Sequence, residues 1–137
     1  MYKRETKEIG RLLEVAMLKK YGPAELSTHY KEFDTICDAT QERQDAVMEL
    51  VKDPNLDFIL VVGGFDSSNT AHLKEIPEKF HVKSFHIDRA SRIREDNSIE
   101  HRESDGQVHV EKNFLRKGKM TIGVTSGAST PDRYVCL

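Results

Sequence analysis

The sequence predicts an α/β protein, a small parallel sheet flanked by helices, and three observations lead there. After Asp57, the run Phe58-Ile59-Leu60-Val61-Val62 is wholly apolar, which suits a central parallel strand buried on both faces. Segments with apolar residues at helical spacing surround it. Two strand-like runs each lead into a loop of small residues, as ligand loops do at the carboxyl ends of parallel strands. These loops are Gly63-Gly64-Phe65-Asp66-Ser67-Ser68-Asn69 and Thr125-Ser126-Gly127-Ala128-Ser129-Thr130.

Taken in order, residues 6–20 read as a helix, with Ile9, Leu12, Leu13 and Ala16 on one face and Lys19 and Lys20 at its C-terminal end. Tyr21-Gly22-Pro23 stops it. A polar connection containing Ser27, Thr28, His29 and Tyr30 follows, then a short extended stretch over 33–36. A second helix is expected over 40–52, with Ala46, Val47, Leu50 and Val51 as its buried stripe, ended by Asp53-Pro54-Asn55. The strand over 56–62 and the first loop come next. A helix over 70–80 follows, which Pro77 should bend or shorten. Residues 84–87 read as a strand. Residues 89–118 are rich in charge and poor in apolar side chains, and read as a surface excursion with a short hairpin around 108–110. A third strand over 121–124 feeds the second loop, and Pro131 suits the first position of a new helix.

Composition narrows the function. A chain of 137 residues is enough for one ordinary domain, and 37% hydrophobic content with 32% charged content and no Trp implies a thin core. A formal net charge of −2 gives no electrostatic case for nucleic acid or an anionic membrane as partner. No apolar run approaches the roughly 18 residues of a membrane span. Met1-Tyr2-Lys3-Arg4-Glu5 lacks an apolar signal-peptide core, so no targeting segment is expected in this chain. Two cysteines, Cys37 and Cys136, imply no disulfide framework.

The two loops carry the chemistry. Backbone N–H groups at a helix start, with Ser and Asn side chains beside them, suit an anion such as phosphate. Helix capping is the plain alternative for Ser67-Ser68-Asn69, and again for Ser126-Gly127-Ala128-Ser129. The Gly63-Gly64 pair and the occurrence of two such loops favour a shared phosphate cradle. No Lys follows the glycines as in a Walker A motif, and the spacing is not G-x-G-x-x-G. The best fit is a small phosphorylated molecule held by neutral donors. Cys37, in Asp34-Thr35-Ile36-Cys37-Asp38-Ala39-Thr40, is open to three readings: a small buried hydrophobe, a thiolate nucleophile, or a metal ligand. The six histidines show no ligand spacing and read as surface or strand-end residues.

Three segments together carry a resemblance. Residues 34–44 (DTICDATQERQ), 61–70 (VVGGFDSSNT) and 123–132 (GVTSGASTPD) resemble the 4-hydroxy-3-methylbut-2-enyl diphosphate reductases, the LytB family, in order and at compatible spacing. The resemblance covers nearly the whole chain, and the charged excursion is similar to that of the plastid and cyanobacterial branch. It implies three similar α/β domains around a [4Fe–4S] cluster, of which residues 1–33 would be the tail of the second and 34–137 most of the third, truncated at its C-terminal helix. It implies reductive removal of a substrate hydroxyl to give isopentenyl and dimethylallyl diphosphate, the last step of the non-mevalonate isoprenoid pathway. Electrons would come from a ferredoxin- or flavodoxin-type donor, in a plastid stroma or cyanobacterial cytoplasm.

Carried over residue by residue, the resemblance makes Cys37 one of three cluster ligands. It makes Ser67, Ser68, Asn69 and Ser129 the diphosphate-binding residues. The other two cluster cysteines, the substrate histidines and the catalytic glutamate of the family have no counterpart here. The chain therefore reads as a fragment, inactive alone. The alternative is a non-catalytic phosphate-binding module or a degenerate paralogue.

Overall fold

A computed structural model describes residues 3–33, 38–128 and 130–131. The chain divides into two compact units, residues 1–41 and 42–137.

The first unit is helical. Helix α1 (Lys3–Tyr21) is longer than the periodicity predicts by three residues at its start and one at its end. Glu8 and Arg11 pair along its exposed surface, at 2.7 Å. Ile9, Leu12 and Leu13, the apolar face read from the sequence, are each about half exposed. The connection after Gly22 contains a helical turn, α2 (Leu26–His29), where the sequence suggested only a polar link. Tyr21 and His29 stack at 4.0 Å, and the Tyr30 hydroxyl donates to the Gly10 carbonyl at 2.8 Å, tying the connection back onto α1. Residues 34–36 of the expected extended stretch lie outside the described residues.

Helix α3 (Asp38–Leu50) leads into the second unit. Its buried positions in that unit are Gln44 and Val47, followed by Val51 just past its end, a spacing of one helical face. Ala46, expected in that stripe, is exposed, and the Gln44 amide takes a buried place without a hydrogen-bond partner among the described residues.

The sheet has the order β4-β3-β2-β1-β5. Strand β1 (Phe58–Val62) is buried at every residue and pairs in parallel with both β2 (Ser84–Ile87) and β5 (Ile122–Ser126). Alternation along β1 sends Phe58, Leu60 and Val62 to one face, where Phe85, Ile87 and Ile99 complete a core cluster. Ile59 and Val61 point to the other face, and there Gly123 leaves room for Leu50 and Leu56 beside Ile59. Helix α4 (Ser68–Lys79) packs on β1, β2 and β5, burying Thr70, Leu73 and Ile76. It runs through Pro77 and ends two residues later; the Pro77 carbonyl accepts from the N–H groups of Phe80 and Val82.

The segment over 89–118 is the main correction to the sequence reading. After a 3₁₀ turn at Ala90–Arg92, strands β3 (Ser98–Arg102) and β4 (Val108–Lys112) form a hairpin that joins the sheet antiparallel through His86 and Arg102. The sheet is therefore mixed, with a parallel half and an antiparallel half. Ser98, Ile99 and His101 of β3 are buried. Only Ile99 among them is strongly apolar, so hydropathy gave no strand signal; β4 is an exposed edge. His86 and His101, read from the sequence as surface or strand-end residues, are both buried, and His101 packs against Phe85 at 4.8 Å.

Ion pairs anchor the hairpin. Asp88 accepts from Arg89 and Arg92, and Arg92 continues to Glu100 at 2.7 Å. Burial works to raise the Asp88 pKa, but the two guanidinium groups outweigh it and hold the carboxyl down to about 2. An unfolded Asp titrates near 3.8, so the unfolded state binds more protons between the two values. This interaction is then present in full above about pH 4 and lost as pH falls through 2, and amounts to about 2 kcal/mol. In urea titrations, the stability difference between wild type and Asp88→Asn should shrink over that pH window and stay constant from pH 5 to 7.

Candidate anion-binding site

The site is built where β1 and β5 end side by side. Their register pairs Val62 with Ser126, so both loops leave the same edge of the sheet. The first loop turns at Gly63-Gly64 and enters α4 at Ser68. Ser67 caps that helix, its hydroxyl accepting from the Thr70 N–H at 3.4 Å and its carbonyl from the Ala71 N–H at 3.0 Å. By helix geometry the N–H groups of Ser68 and Asn69 have no acceptor within the helix. Together with the positive end of the helix dipole they form an arrangement suited to an anion.

The second loop is tied to the first. The Val62 carbonyl accepts from the Gly127 N–H at 3.0 Å and from the Thr130 hydroxyl at 3.2 Å, and the Thr130 N–H donates to the Gly127 carbonyl at 3.0 Å. Thr70 joins the two. Its side chain is fully buried and fills the space that Gly63 and Gly127 leave by having no Cβ. A Cβ on Gly63 would stand 2.5 Å from the Thr70 hydroxyl and 2.9 Å from that of Thr130. The loops thus meet because both present glycine to the same threonine.

Of the residues expected to hold the anion, Ser67 is half-buried, Ser68 is exposed at the start of α4, and Asn69 follows with its Oδ1 buried. Neither Asn69 Oδ1 nor Thr70 Oγ1 has a hydrogen-bond partner among the described residues. Ser129 and Cys37 lie outside the described residues. Thr70 and Thr130 were not singled out from the sequence, although both sit in the quoted motifs. The available signal was a threonine directly after the first loop and another closing the second.

Burial pushes the His86 imidazole below its ordinary range, against the opposing effect of its hydrogen bond to the Gly63 carbonyl at 2.9 Å. A carbonyl only accepts, so Nε2 carries the proton in this contact. Among the described residues no group of three or more His, Cys, Asp or Glu side chains could hold a metal ion, and no helix is long and apolar enough to cross a membrane.

Fold and site define an α/β unit whose paired loops, at the carboxyl edge of the sheet, suit an anion. A sequence profile described as LytB protein matches residues 1–136. The 4-hydroxy-3-methylbut-2-enyl diphosphate reductase of Nostoc sp. is 55% identical over 135 residues, covering 98% of this chain and 33% of the relative. That of Prochlorococcus marinus is 57% identical over 136 residues, with the same coverage of 98% and 33%. A solved structure of (E)-4-hydroxy-3-methyl-but-2-enyl diphosphate reductase, the terminal enzyme of the non-mevalonate pathway, superposes with a TM-score of 0.55 at 27% identity, over 86% of this chain and 36% of that one. The chain belongs to the LytB family. It spans about a third of the length of the curated relatives it matches.

Proposed function

We propose that this chain is part of a 4-hydroxy-3-methylbut-2-enyl diphosphate reductase and supplies the surface that holds the substrate's diphosphate. The observation that carries this reading is the junction at Thr70, which brings the two glycine loops together beside the start of α4. Ser67, Ser68 and Asn69 hold one side of the diphosphate and Ser129 the other. Neutral hydroxyl and amide donors can stabilise an anion by hydrogen bonding, without a counter-charge, in this manner. Residues 1–33 are the tail of the family's second domain and residues 34–137 form most of the third.

The reaction of the whole enzyme is reductive removal of a hydroxyl from the substrate, giving isopentenyl and dimethylallyl diphosphate. The electrons arrive from a ferredoxin- or flavodoxin-type donor, in a plastid stroma or cyanobacterial cytoplasm. In the family a [4Fe–4S] cluster would supply the electron-transfer centre, and Cys37 would be one of its three cysteine ligands. The donor set of this chain does not fit a complete cluster: its cysteines are Cys37 and Cys136 alone, and Cys136 matches no family ligand. The 137-residue chain by itself is therefore inactive and contributes binding.

The same two-cysteine content favours a second reading, a non-catalytic phosphate-binding module or degenerate paralogue. Calorimetry with inorganic diphosphate and turnover with a reduced ferredoxin test both. Binding is expected, weakened about tenfold or more by Asn69→Ala, with no turnover by this chain. If adding the remaining family domains in trans restores turnover, the first reading stands; binding without restored turnover supports the second. Absence of binding would remove the diphosphate assignment.

A further inference from the structure

The first loop is gripped from the hairpin side. His86 and Arg102 are cross-strand partners on antiparallel strands, so their side chains are neighbours on one face of the sheet. That is the face away from Phe85 and Ile87. His86 Nε2 donates to the Gly63 carbonyl at 2.9 Å, and Arg102 Nη1 donates to the Phe65 carbonyl at 2.5 Å. The Phe65 ring meets the edge of His86 at 5.1 Å and lies beneath two guanidinium groups, those of Arg92 at 5.3 Å and Arg102 at 5.6 Å.

Behind the loop is a cavity of about 270 Å³, lined in part by Phe65, Lys74, His86, Arg102 and Glu103. On that side the loop is met by a few directed contacts, at the Gly63 and Phe65 carbonyls and the Phe65 ring. Directed contacts at carbonyls have a geometric consequence. In a planar trans peptide the C=O of one residue and the N–H of the next point in opposite directions. Holding the Gly63 and Phe65 carbonyls toward His86 and Arg102 turns the N–H groups of Gly64 and Asp66 the other way.

We infer that Arg102, with His86, is a positioning residue for the anion loop: the hairpin over 98–112 braces the loop backbone and so sets which way its amides point. The idea rests on the diphosphate reading of the loop for its functional consequence, but the brace itself is independent of any ligand. It gives the charged excursion a role beyond widening the sheet.

The test uses the whole chain. Amide hydrogen exchange over 63–68 and calorimetric affinity for inorganic diphosphate are measured in wild type, Arg102→Met, Arg102→Lys and Lys83→Met. Lys83→Met cuts a different hairpin contact, the Lys83–Glu111 pair, and serves as the control. Arg102→Met should speed loop exchange and weaken diphosphate binding about tenfold each, the change expected for one charge-assisted hydrogen bond. Arg102→Lys, which keeps a cationic donor, should recover most of both, and Lys83→Met should change neither. The brace is overturned if loop exchange is unaltered in Arg102→Met. It is equally overturned if Lys83→Met matches Arg102→Met, or if exchange rises as much across β1 and α4 as in the loop. If wild type fails to bind diphosphate, the diphosphate reading of the loop fails, while the exchange comparison still decides the brace.

Discussion

Gly127→Ala is expected to destabilise the second unit by about 2–3 kcal/mol and to abolish diphosphate binding. The added Cβ would overlap the Thr70 hydroxyl and press on that of Thr130 at 3.3 Å. Thr70 is in the first turn of α4 and fully buried, so it has no open space to enter. Relief comes only from separating the loops, which breaks the bonds from Gly127 and Thr130 to the Val62 carbonyl. The cause is steric and local, so it is correctable. The double variant Gly127→Ala with Thr70→Ala removes the offending hydroxyl and should recover most of the stability, a coupling readable in a double-mutant cycle. Gly64→Ala is the natural contrast, because a Cβ there meets nothing within 4 Å. Urea unfolding and calorimetry decide the matter: a Gly127→Ala protein as stable and as tight-binding as wild type would refute the interlocked-loop account.

Phe85→Ala is expected to cost about 3–5 kcal/mol, a large share of the stability of a small unit. Phe85 is 1% exposed at the centre of the core. It meets Phe58 edge-on at 5.1 Å, His101 at 4.8 Å and Phe114 at 5.9 Å. Two of these three belong to the excursion, so the truncation removes the floor on which the hairpin rests as well as the transfer energy of a ring. Loss of the cooperative urea transition, or a drop of this size in unfolding free energy, is the expected result. A loss below about 1 kcal/mol would mean that the site collapses to fill the void and that the hairpin is held mainly by its ion pairs.

The parts of the fold legible in the sequence are those whose physics is local. The apolar run at 58–62 is a strand buried at every position, as its unbroken hydrophobicity requires. Residues 84–87 form β2 with the bounds read from the sequence. Ser67, one of three residues for which capping was the plain alternative, is the helix cap, and α4 begins two residues earlier than the sequence places it. The strand at the second loop continues two residues further than read, through Ser126, because pairing with Val61 and Val62 holds Thr125 and Ser126 extended.

What was illegible depends on partners far along the chain. Residues 98–102 are Ser, Ile, Glu, His and Arg, and Ile99 is their one strong hydrophobe; the burial of Ser98, Ile99 and His101 comes from lying beside β2. His86 reads as a surface or strand-end group until the Gly63 carbonyl is known to accept from its Nε2.

By itself the sequence determined that this is an α/β chain of the LytB type, with a central buried strand and two small-residue loops at strand ends. Spacing, capping and hydrophobicity act over a few residues and can be read there. Only the tertiary structure decided that Gly63 and Gly127, not Gly64, are the glycines the loop junction requires. It alone decided that the charged excursion extends the sheet, and that Arg102 reaches a loop carbonyl 37 residues away. The reason is physical: which atoms must make room, and which polar groups find partners, is settled by strand register between segments that the chain itself keeps far apart.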